Sequence, residues 1–434
     1  MLPLQRVQLI NPLPPFPTSG IELVFFWLLV IGLSALLISD FTFIPLAMIH
    51  DRLQKRYLDP EKDRPLVSVI IPAYNEAKNL SNLLDSLREQ SYPNLEIMIV
   101  NDGSTDRTVE IVRNYMRQNT GIQLIDLPRP NHGKAVALNT GLSVANGQFV
   151  VVIDADGVVE RNCIMRMVAA LHQPNIIAVA GNVKVANRIS FLTKLQALEY
   201  VRDINLPRRA FDLMGVSIVI PGPVGGFRKE YVKAVGSYDT DTVAEDYDMT
   251  VKLQKAKDGT SQGVRNITDA IAYTEAPENL KDLFRQRKRW YGGMTQTMIK
   301  HFDKKLVIGS GTYSAAAVPY AVLTLWVVPV LELFMTTLGL VMAMLTGILW
   351  YVTAFLVYSL LETLISFLTL RLDKDDLRLI VYSPLFVLGY RQLLDVIRVY
   401  AFYEMLRGRL AWTRAERYGE VKEKARSAVM IPGS

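Results

Sequence analysis

Residues 66–102 read LVSVIIPAYNEAKNLSNLLDSLREQSYPNLEIMIVND. The β-branched run LVSVIIPAY gives way to LSNLLDSLREQ, whose apolar residues recur at helical spacing, and LEIMIVND returns to strand character. Downstream, DRTVEIVRNYMRQ predicts a helix, IQLIDL a strand, KAVALNTGLSVA a helix and FVVVIDAD a strand. Repeated βα winding predicts a mostly parallel sheet with helices on both faces, and such sheets bind ligands outside the carboxyl ends of their strands. Three carboxylate clusters fall at those ends.

The first cluster joins Tyr74-Asn75-Glu76 to Asn101-Asp102-Gly103-Ser104-Thr105-Asp106. Asp106 is suited equally to capping a helix. Asp102, at the strand end, can instead accept a bond from the imide N–H of a uracil. The second cluster is Asp154-Ala155-Asp156, where two carboxylates two residues apart can reach one hard cation and the diphosphate oxygens it bridges. Ahead of it, Asn131-His132-Gly133-Lys134 opens a helix whose N–H groups favour anions, and Lys134 adds a point charge; its alternative is a solvated first-turn lysine. The third cluster, Glu245 and Asp246 in AEDYD, follows IPGPVGGFRKEYV (220–232), where Gly222, Gly225 and Gly226 allow close approach to the backbone. A carboxylate beside such a pocket can take a proton from a sugar hydroxyl; as a plain helix start, the same acids need no further role.

Half of the residues are hydrophobic, and their distribution is uneven. Residues 21–49 carry only Glu22 and Asp40 as charges, enough apolar length for the roughly 20 residues of a transmembrane helix. Arg52, Lys55 and Arg56 follow it, which places the downstream side in the cytoplasm. The chain therefore divides into a proline-rich segment (1–20), a transmembrane helix (21–49), a soluble domain (50–280), an amphipathic interface helix (281–305), apolar transmembrane or interface helices (306–406) and a basic cytoplasmic tail (407–434). A cytoplasmic tail requires an even number of C-terminal crossings. Arg391, Asp395 and Arg398 make the last apolar segment a poor lipid-facing span; it lies at the interface, lines a polar path, or buries its charges against partners.

The net charge of +6 admits nucleic acid as a partner, but most of the excess cations adjoin apolar segments, where membrane topology explains them. Nucleic acid is therefore not expected. The single Cys163 excludes an internal disulfide and a cysteine zinc cluster, and is expected to be a buried filler. The run Phe284–Gly293, FRQRKRWYGG, is either a charge patch or part of a site. Helical spacing puts Gln286, Arg289 and Trp290 on one face, and Arg285 and Lys288 on another that can meet headgroups. Met294, Met298 and Ile299 extend it as an amphipathic helix on the bilayer surface.

Taken in order, IPAYNE, VNDGSTD, NHGKAVALNTGL, DAD, AED and QRKRW resemble the motif set of the processive family 2 glycosyltransferases, which include cellulose, chitin, hyaluronan and poly-N-acetylglucosamine synthases. The set spans Val67 to Trp290. The resemblance implies an α/β GT-A nucleotide-diphospho-sugar transferase domain inserted between N- and C-terminal transmembrane helices, at the plasma membrane. It implies that Tyr74, Glu76 and Asp102 hold the uridine, that Asp154 and Asp156 hold the diphosphate and its Mg²⁺ or Mn²⁺, and that Asp246, beside Glu245, is the general base. It gives Gln286 and Arg289 to the diphosphate and Trp290 to the acceptor sugar. One departure is that the family's T-E-D reads Ala244-Glu245-Asp246 here.

The expected reaction is inverting transfer from a UDP-sugar donor to a growing polysaccharide. LEYVRDINLPRRAFD (198–212), PGPVGGFRKE and RLAWTRAERYG resemble the poly-N-acetylglucosamine synthases, making UDP-N-acetylglucosamine the first donor, with UDP-glucose and UDP-glucuronate as alternatives. The lipid bilayer is an expected partner, and some related synthases need an accessory membrane subunit. Two other readings stand beside this one: a non-processive transferase acting on a membrane lipid, and a transport or scaffold protein with an inactive transferase domain.

Overall fold

The computed structural model describes residues 20–53, 64–118, 121–256, 263–346, 348–410 and 419. The proline-rich start, Lys55 and Arg56, and the basic ending apart from residues 407–410 and 419 lie outside the described residues.

Strands β1 (Val67–Ala73), β2 (Leu95–Asp102), β3 (Ile122–Leu127), β4 (Phe149–Val152), β5 (Val158–Val159), β6 (Ile176–Val185), β7 (Gly225–Arg228) and β8 (Gly263–Thr274) form one sheet in the order β3-β2-β1-β4-β7-β6-β8-β5. The wound half is parallel as expected: β1 pairs with β2 and β4, and β2 with β3. Beyond β4 the sheet is mixed, because β7 runs antiparallel to both β4 and β6, and β5 antiparallel to β8. The expectation of a mostly parallel sheet is corrected there. β7 arrives from a long helical excursion rather than a βα crossover, so no right-handed crossover fixes its direction.

Helices α2 (Leu80–Arg88), α3 (Thr108–Gln118), α4 (Lys134–Val144) and α5 (Cys163–Leu171) flank the sheet. Val67, Val69 and Ile71 point to one face, against Leu83, Leu84 and Leu87 of α2 and Met167 and Leu171 of α5. Ile70, Met98 and Val100 point to the other, against Ala137, Leu138 and Leu142 of α4. The alternation of a pleated strand thus feeds two apolar layers, which is why these strands read as nearly continuous hydrophobic runs. Cys163 is fully buried, and burial pushes its thiol pKa up.

After β6 come α6 (Phe191–Glu199), a wide helical turn (Tyr200–Asn205) and α7 (Leu206–Leu213). Then follow α8 (Lys229–Ala234), α9 (Glu245–Ala256), whose Met249 and Leu253 join the α4 layer, and α10 (Leu280–Lys300). The helix α1 (Gly20–Leu53) leads into the domain, and its Ile44 and Ala47 pack with Leu206 and Ile365. Further along the chain, Tyr313–Met344, Val352–Leu372 and Leu377–Leu406 are long and apolar enough to cross a membrane. Leu340, Met344, Leu356 and Leu360 on the first two are strongly exposed, the pattern of a lipid-facing surface.

Leu377–Leu406 is broken at Leu388 and Gly389, the latter at φ 116°. Its charges turn inward. Arg391 lies 3.3 Å from Glu362 and 3.5 Å from Glu332 and donates to Tyr358 Oη at 3.1 Å, while Arg398 pairs with Asp395 at 2.6 Å. Of the three placements open to this segment, burial against partners is the one found.

Candidate active site

Two loops at the carboxyl end of the wound half are stitched together. Asn75 takes the left-handed conformation (φ 56°), and its Oδ1 accepts from Thr105 N at 2.7 Å and Asp106 N at 3.3 Å. Asp106 accepts from Thr108 N at 3.0 Å at the start of α3 and from Ala77 N at 3.1 Å, which makes it a cap and a loop tie. Asp102 is engaged as well: Oδ1 accepts from His132 N, and Oδ2 from Gly133 N and Asn131 Nδ2, each at 2.8 Å. These bonds anchor the loop that opens α4. Tyr74 is half-buried and Glu76 buried, with Glu76 N donating to Thr108 Oγ1 at 2.9 Å. The pieces expected around a uridine thus share one rim.

Beside that rim lies a charged cluster assembled from four distant segments. Lys134, the first residue of α4, places Nζ 2.6 Å from Asp154 Oδ1 and 2.9 Å from Glu245 Oε1. Asp154 is delivered by a turn: β4 ends at Val152, and Gly157 N closes on Asp154 O at 3.1 Å. Asp246, in the first turn of α9, accepts from Gly222 N at 3.0 Å and from its neighbour Tyr247 N at 2.8 Å. A Cβ on Gly222 would stand 2.8 Å from Lys134 Nζ and 3.4 Å from both Asp154 Oδ2 and Asp246 Oδ2. Gly222 is therefore the floor of the cluster, and the lysine is no solvated surface residue.

The electrostatics follow from this crowding. Burial and then the adjacent Glu245 carboxylate push the Asp246 pKa up, with Lys134 and the two backbone N–H donors pulling the other way. For Lys134, burial acts to lower the pKa, but Asp154, Glu245 and Asp246 outweigh it and hold the ammonium charged. A carboxylate of raised pKa in a polar cleft is suited to general-base work. Asp154 and Asp156 offer only oxygen donors, which fits a hard divalent cation; Asp156 is buried, and Lys134 now neutralises Asp154.

Gly225 and Gly226, expected to allow a ligand close to the backbone, have a packing role in the sheet. They sit in the middle of the sheet, paired with Val152 and Val151 of β4 and with Ala180 and Val179 of β6. A Cβ on Gly225 would meet Ile220 at 2.8 Å, and one on Gly226 would meet Val179 at 2.8 Å and Met167 at 2.9 Å. They lack side chains because the core has no room for them. Of the three glycines, Gly222 faces the charges.

Ala244, where the resembling motif has a threonine, is explained by α10. A Cβ on Gly293 would lie 2.6 Å from Ala244 Cβ, so small residues on both sides let α10 close onto the start of α9. A hydroxyl is still present, since Thr242 Oγ1 accepts from Ala244 N at 3.2 Å. Of the apolar stripe Met294, Met298 and Ile299 expected on the bilayer surface, Met298 is buried with Tyr247 and Val251 and Met294 packs beside it, and α10 lies between α9 and Arg391–Leu406. Most of its aromatic and apolar residues find protein partners, while Leu280 and Ile299 at its two ends stay exposed.

Within FRQRKRWYGG, Gln286 is buried and Arg289 and Trp290 are half-buried, while Lys288 Nζ lies 5.9 Å from the Tyr400 ring. The residue that sequence reasoning passed over is Arg287, fully buried and doubly bonded to Glu199. Its signal was present in the run itself, but four cations in sequence give no hint which one turns inward. A second knot was also missed. Asp248 accepts from His301 Nε2 at 2.8 Å, and Lys300 Nζ sits 2.5 Å from Asp239, 2.6 Å from Asp241 and 3.2 Å from Asp248. Asp239, Asp248 and His301 have metal-ligand proximity, yet the Lys300 ammonium lies among these acids, and the group is an ion-paired clasp between α9 and α10.

Known proteins resemble this chain in sequence and in fold. Residues 68–236 match the model of Glycosyl transferase family 2. A poly-beta-1,6-N-acetyl-D-glucosamine synthase of Staphylococcus epidermidis is 32% identical over 237 residues, covering 54% of this chain and 56% of the relative. One from Staphylococcus aureus matches over the same shares at the same identity. The chain thus spans little more than half the length of these curated relatives. Among solved structures, a mannosyltransferase from Pyrobaculum calidifontis in complex with GDP-Man and Mn²⁺ superposes with a TM-score of 0.62 at 22% identity, covering 87% of this chain and 99% of that one. That likeness identifies the fold as GT-A.

Proposed function

We propose that this chain, which carries a glycosyl transferase family 2 domain over residues 68–236, is a membrane-embedded, inverting, processive glycosyltransferase. It polymerises a UDP-sugar, UDP-N-acetylglucosamine in the first instance, into a β-linked polysaccharide and passes it across the plasma membrane. The observation that carries this reading is the cluster of Lys134, Asp154, Glu245 and Asp246 around Gly222. The names of the staphylococcal relatives support the donor and product.

Tyr74, Glu76 and Asp102 form the uridine rim. The acceptor hydroxyl gives its proton to the Asp246 carboxylate as its oxygen attacks the anomeric carbon. The bond from that carbon to the diphosphate oxygen breaks with its electron pair, and UDP leaves with inversion. Lys134 and Arg289 meet the departing diphosphate with charge and hydrogen bonds already in place, so little reorganisation is needed as charge develops. Asp154 and Asp156 would hold Mg²⁺ or Mn²⁺, which when bound supplies further charge neutralisation at the diphosphate. Trp290 offers its indole to the acceptor ring.

α1 and the first two apolar C-terminal stretches cross the bilayer, and the broken, inward-paired Leu377–Leu406 is embedded beside them, which keeps an even number of C-terminal crossings and a cytoplasmic catalytic domain. The test is to incubate the purified chain in nanodiscs with a panel of UDP-sugars and measure UDP release and product length. Long polymer from one donor is expected. Short lipid-linked products would overturn processivity, and no UDP from any donor would overturn the enzyme.

A further inference from the structure

Trp290 is held by groups from three parts of the chain. α6 ends at Glu199, whose side chain is 4% exposed; there Arg287 Nε donates to Oε1 at 3.0 Å and Arg287 Nη2 to Oε2 at 2.8 Å. Tyr390 Oη donates to the same Oε2 at 2.6 Å. The remaining Arg287 nitrogen, Nη1, donates to the side-chain oxygen of Gln286. The guanidinium lies 4.1 Å from the centroid of the Trp290 ring, and Tyr200 stands on another side of that ring at 6.2 Å and 60°. Arg287 therefore cannot shift without moving both Gln286 and Trp290. Tyr390 belongs to the last apolar segment, directly after its break at Gly389.

A buried ion pair is a poor device for stability alone, since apolar residues of equal volume usually serve as well or better. What a bidentate, stacked arginine adds is a fixed plane and a fixed direction. Lysine could supply the charge but neither the fork nor the flat face. Here the plane is that of an indole, and the direction is that of an amide whose oxygen is already taken, leaving its N–H groups to donate.

We infer that Glu199, Arg287 and Tyr390 are positioning residues that set the Trp290 ring and the Gln286 amide for the acceptor sugar and, through Tyr390, tie acceptor seating to the last apolar segment. This rests on the reading of Trp290 as an acceptor platform. The trio acts on the acceptor side of the reaction and leaves donor binding to the rim and the Lys134 cluster. Its failure should therefore raise the acceptor KM and shorten the product while UDP affinity stays.

The experiment compares Tyr390→Phe, Glu199→Gln and Arg287→Lys with the full chain in nanodiscs. Readouts are UDP affinity, KM and kcat for a β-linked N-acetylglucosamine oligosaccharide, product length, and the near-UV circular dichroism of Trp290, isolated by subtracting a Trp290→Phe spectrum. Tyr390→Phe removes one hydroxyl and is expected to fold; it should raise the acceptor KM roughly tenfold to a hundredfold, the effect of losing one charge-assisted bond. Glu199→Gln and Arg287→Lys should do more and change the Trp290 signature, with UDP affinity at the wild-type value. Equal losses of UDP affinity and kcat in all three, or an unchanged acceptor KM, would overturn the inference. If the wild type transfers no sugar from any donor, the proposed function fails by itself; an unchanged Trp290 signature in Glu199→Gln and Arg287→Lys would then refute the positioning role independently.

Discussion

Gly222→Ala is the sharpest probe of the charged cluster. The added Cβ would stand 2.8 Å from Lys134 Nζ, and ordinary contact begins near 3.4 Å, so the ammonium must withdraw by 3.4 − 2.8 = 0.6 Å. Lys134 is bonded at 2.6 Å to Asp154 and 2.9 Å to Glu245, and a withdrawal of that size can carry the longer contact to 3.5 Å, the edge of hydrogen-bond range. One charge-assisted bond is worth about 1.5–3 kcal/mol. At 1.36 kcal/mol per tenfold, transfer should fall roughly ten- to a hundredfold in kcat/KM. Backbone conformation is not the cause of the loss, because Gly222 is not among the glycines of positive φ. The assay is UDP release from detergent- or nanodisc-held protein, with the thermal midpoint as control; it should move by less than about 3 °C. Wild-type kcat/KM in a protein shown to carry the alanine would refute the assignment of the cluster as the reaction centre.

Other outcomes follow from the same coordinates. Asp246→Asn should retain UDP binding and lose about 10²–10⁴ in kcat, the usual worth of a general base; polymer output at the wild-type level would remove Asp246 from that role. Its pKa is raised, so ionised Asp246 costs stability once the pH exceeds the folded pKa, and Asp246→Asn should unfold no more easily than wild type at neutral pH in a thermal melt. For activity the sign is reversed: the carboxylate must be ionised, so the acid limb of kcat should lie above the range of an ordinary aspartate. Glu245→Gln removes a like charge and should move that limb to lower pH, read from a pH–rate profile. Gly226→Ala overpacks the sheet against Val179 and Met167 and should cost about 1–3 kcal/mol in a denaturation measurement, without a selective rise in acceptor KM. Arg289→Ala and Trp290→Ala should nearly abolish synthesis while Lys288→Ala is mild; equal losses measured as polymer yield would return the run to a charge patch.

Much of the site was legible because the fold delivers ligands to one place. Once LVSVIIPAY, LEIMIVND and FVVVIDAD are strands of a wound sheet, Tyr74, Asp102 and Asp154 must share its carboxyl edge, whatever the packing details. Asp106 was balanced between cap and ligand, and its bonds to Thr108 and Ala77 fall on the structural side. At Gly225 and Gly226 the sequence could not separate the two, because a glycine needed for ligand approach and a glycine needed for strand packing look the same in sequence. Local spacing also put Met294 and Met298 on a membrane-facing stripe; an apolar stripe carries no label for lipid or protein.

The sequence by itself determined the wound half of the sheet, the apolar stretches and the order of the motifs, since these rest on local periodicity and on the residue types that end strands and start helices. Only the tertiary structure decided that β7 enters the sheet antiparallel, that Gly222 rather than its neighbours floors the charged cluster, and that Arg287 among four cations turns inward to Glu199 and Tyr390. These depend on contacts between residues 88 and 191 positions apart, where no local pattern operates. Burying a charge is permitted only where a distant partner meets it, and the partner's position is a property of the folded chain.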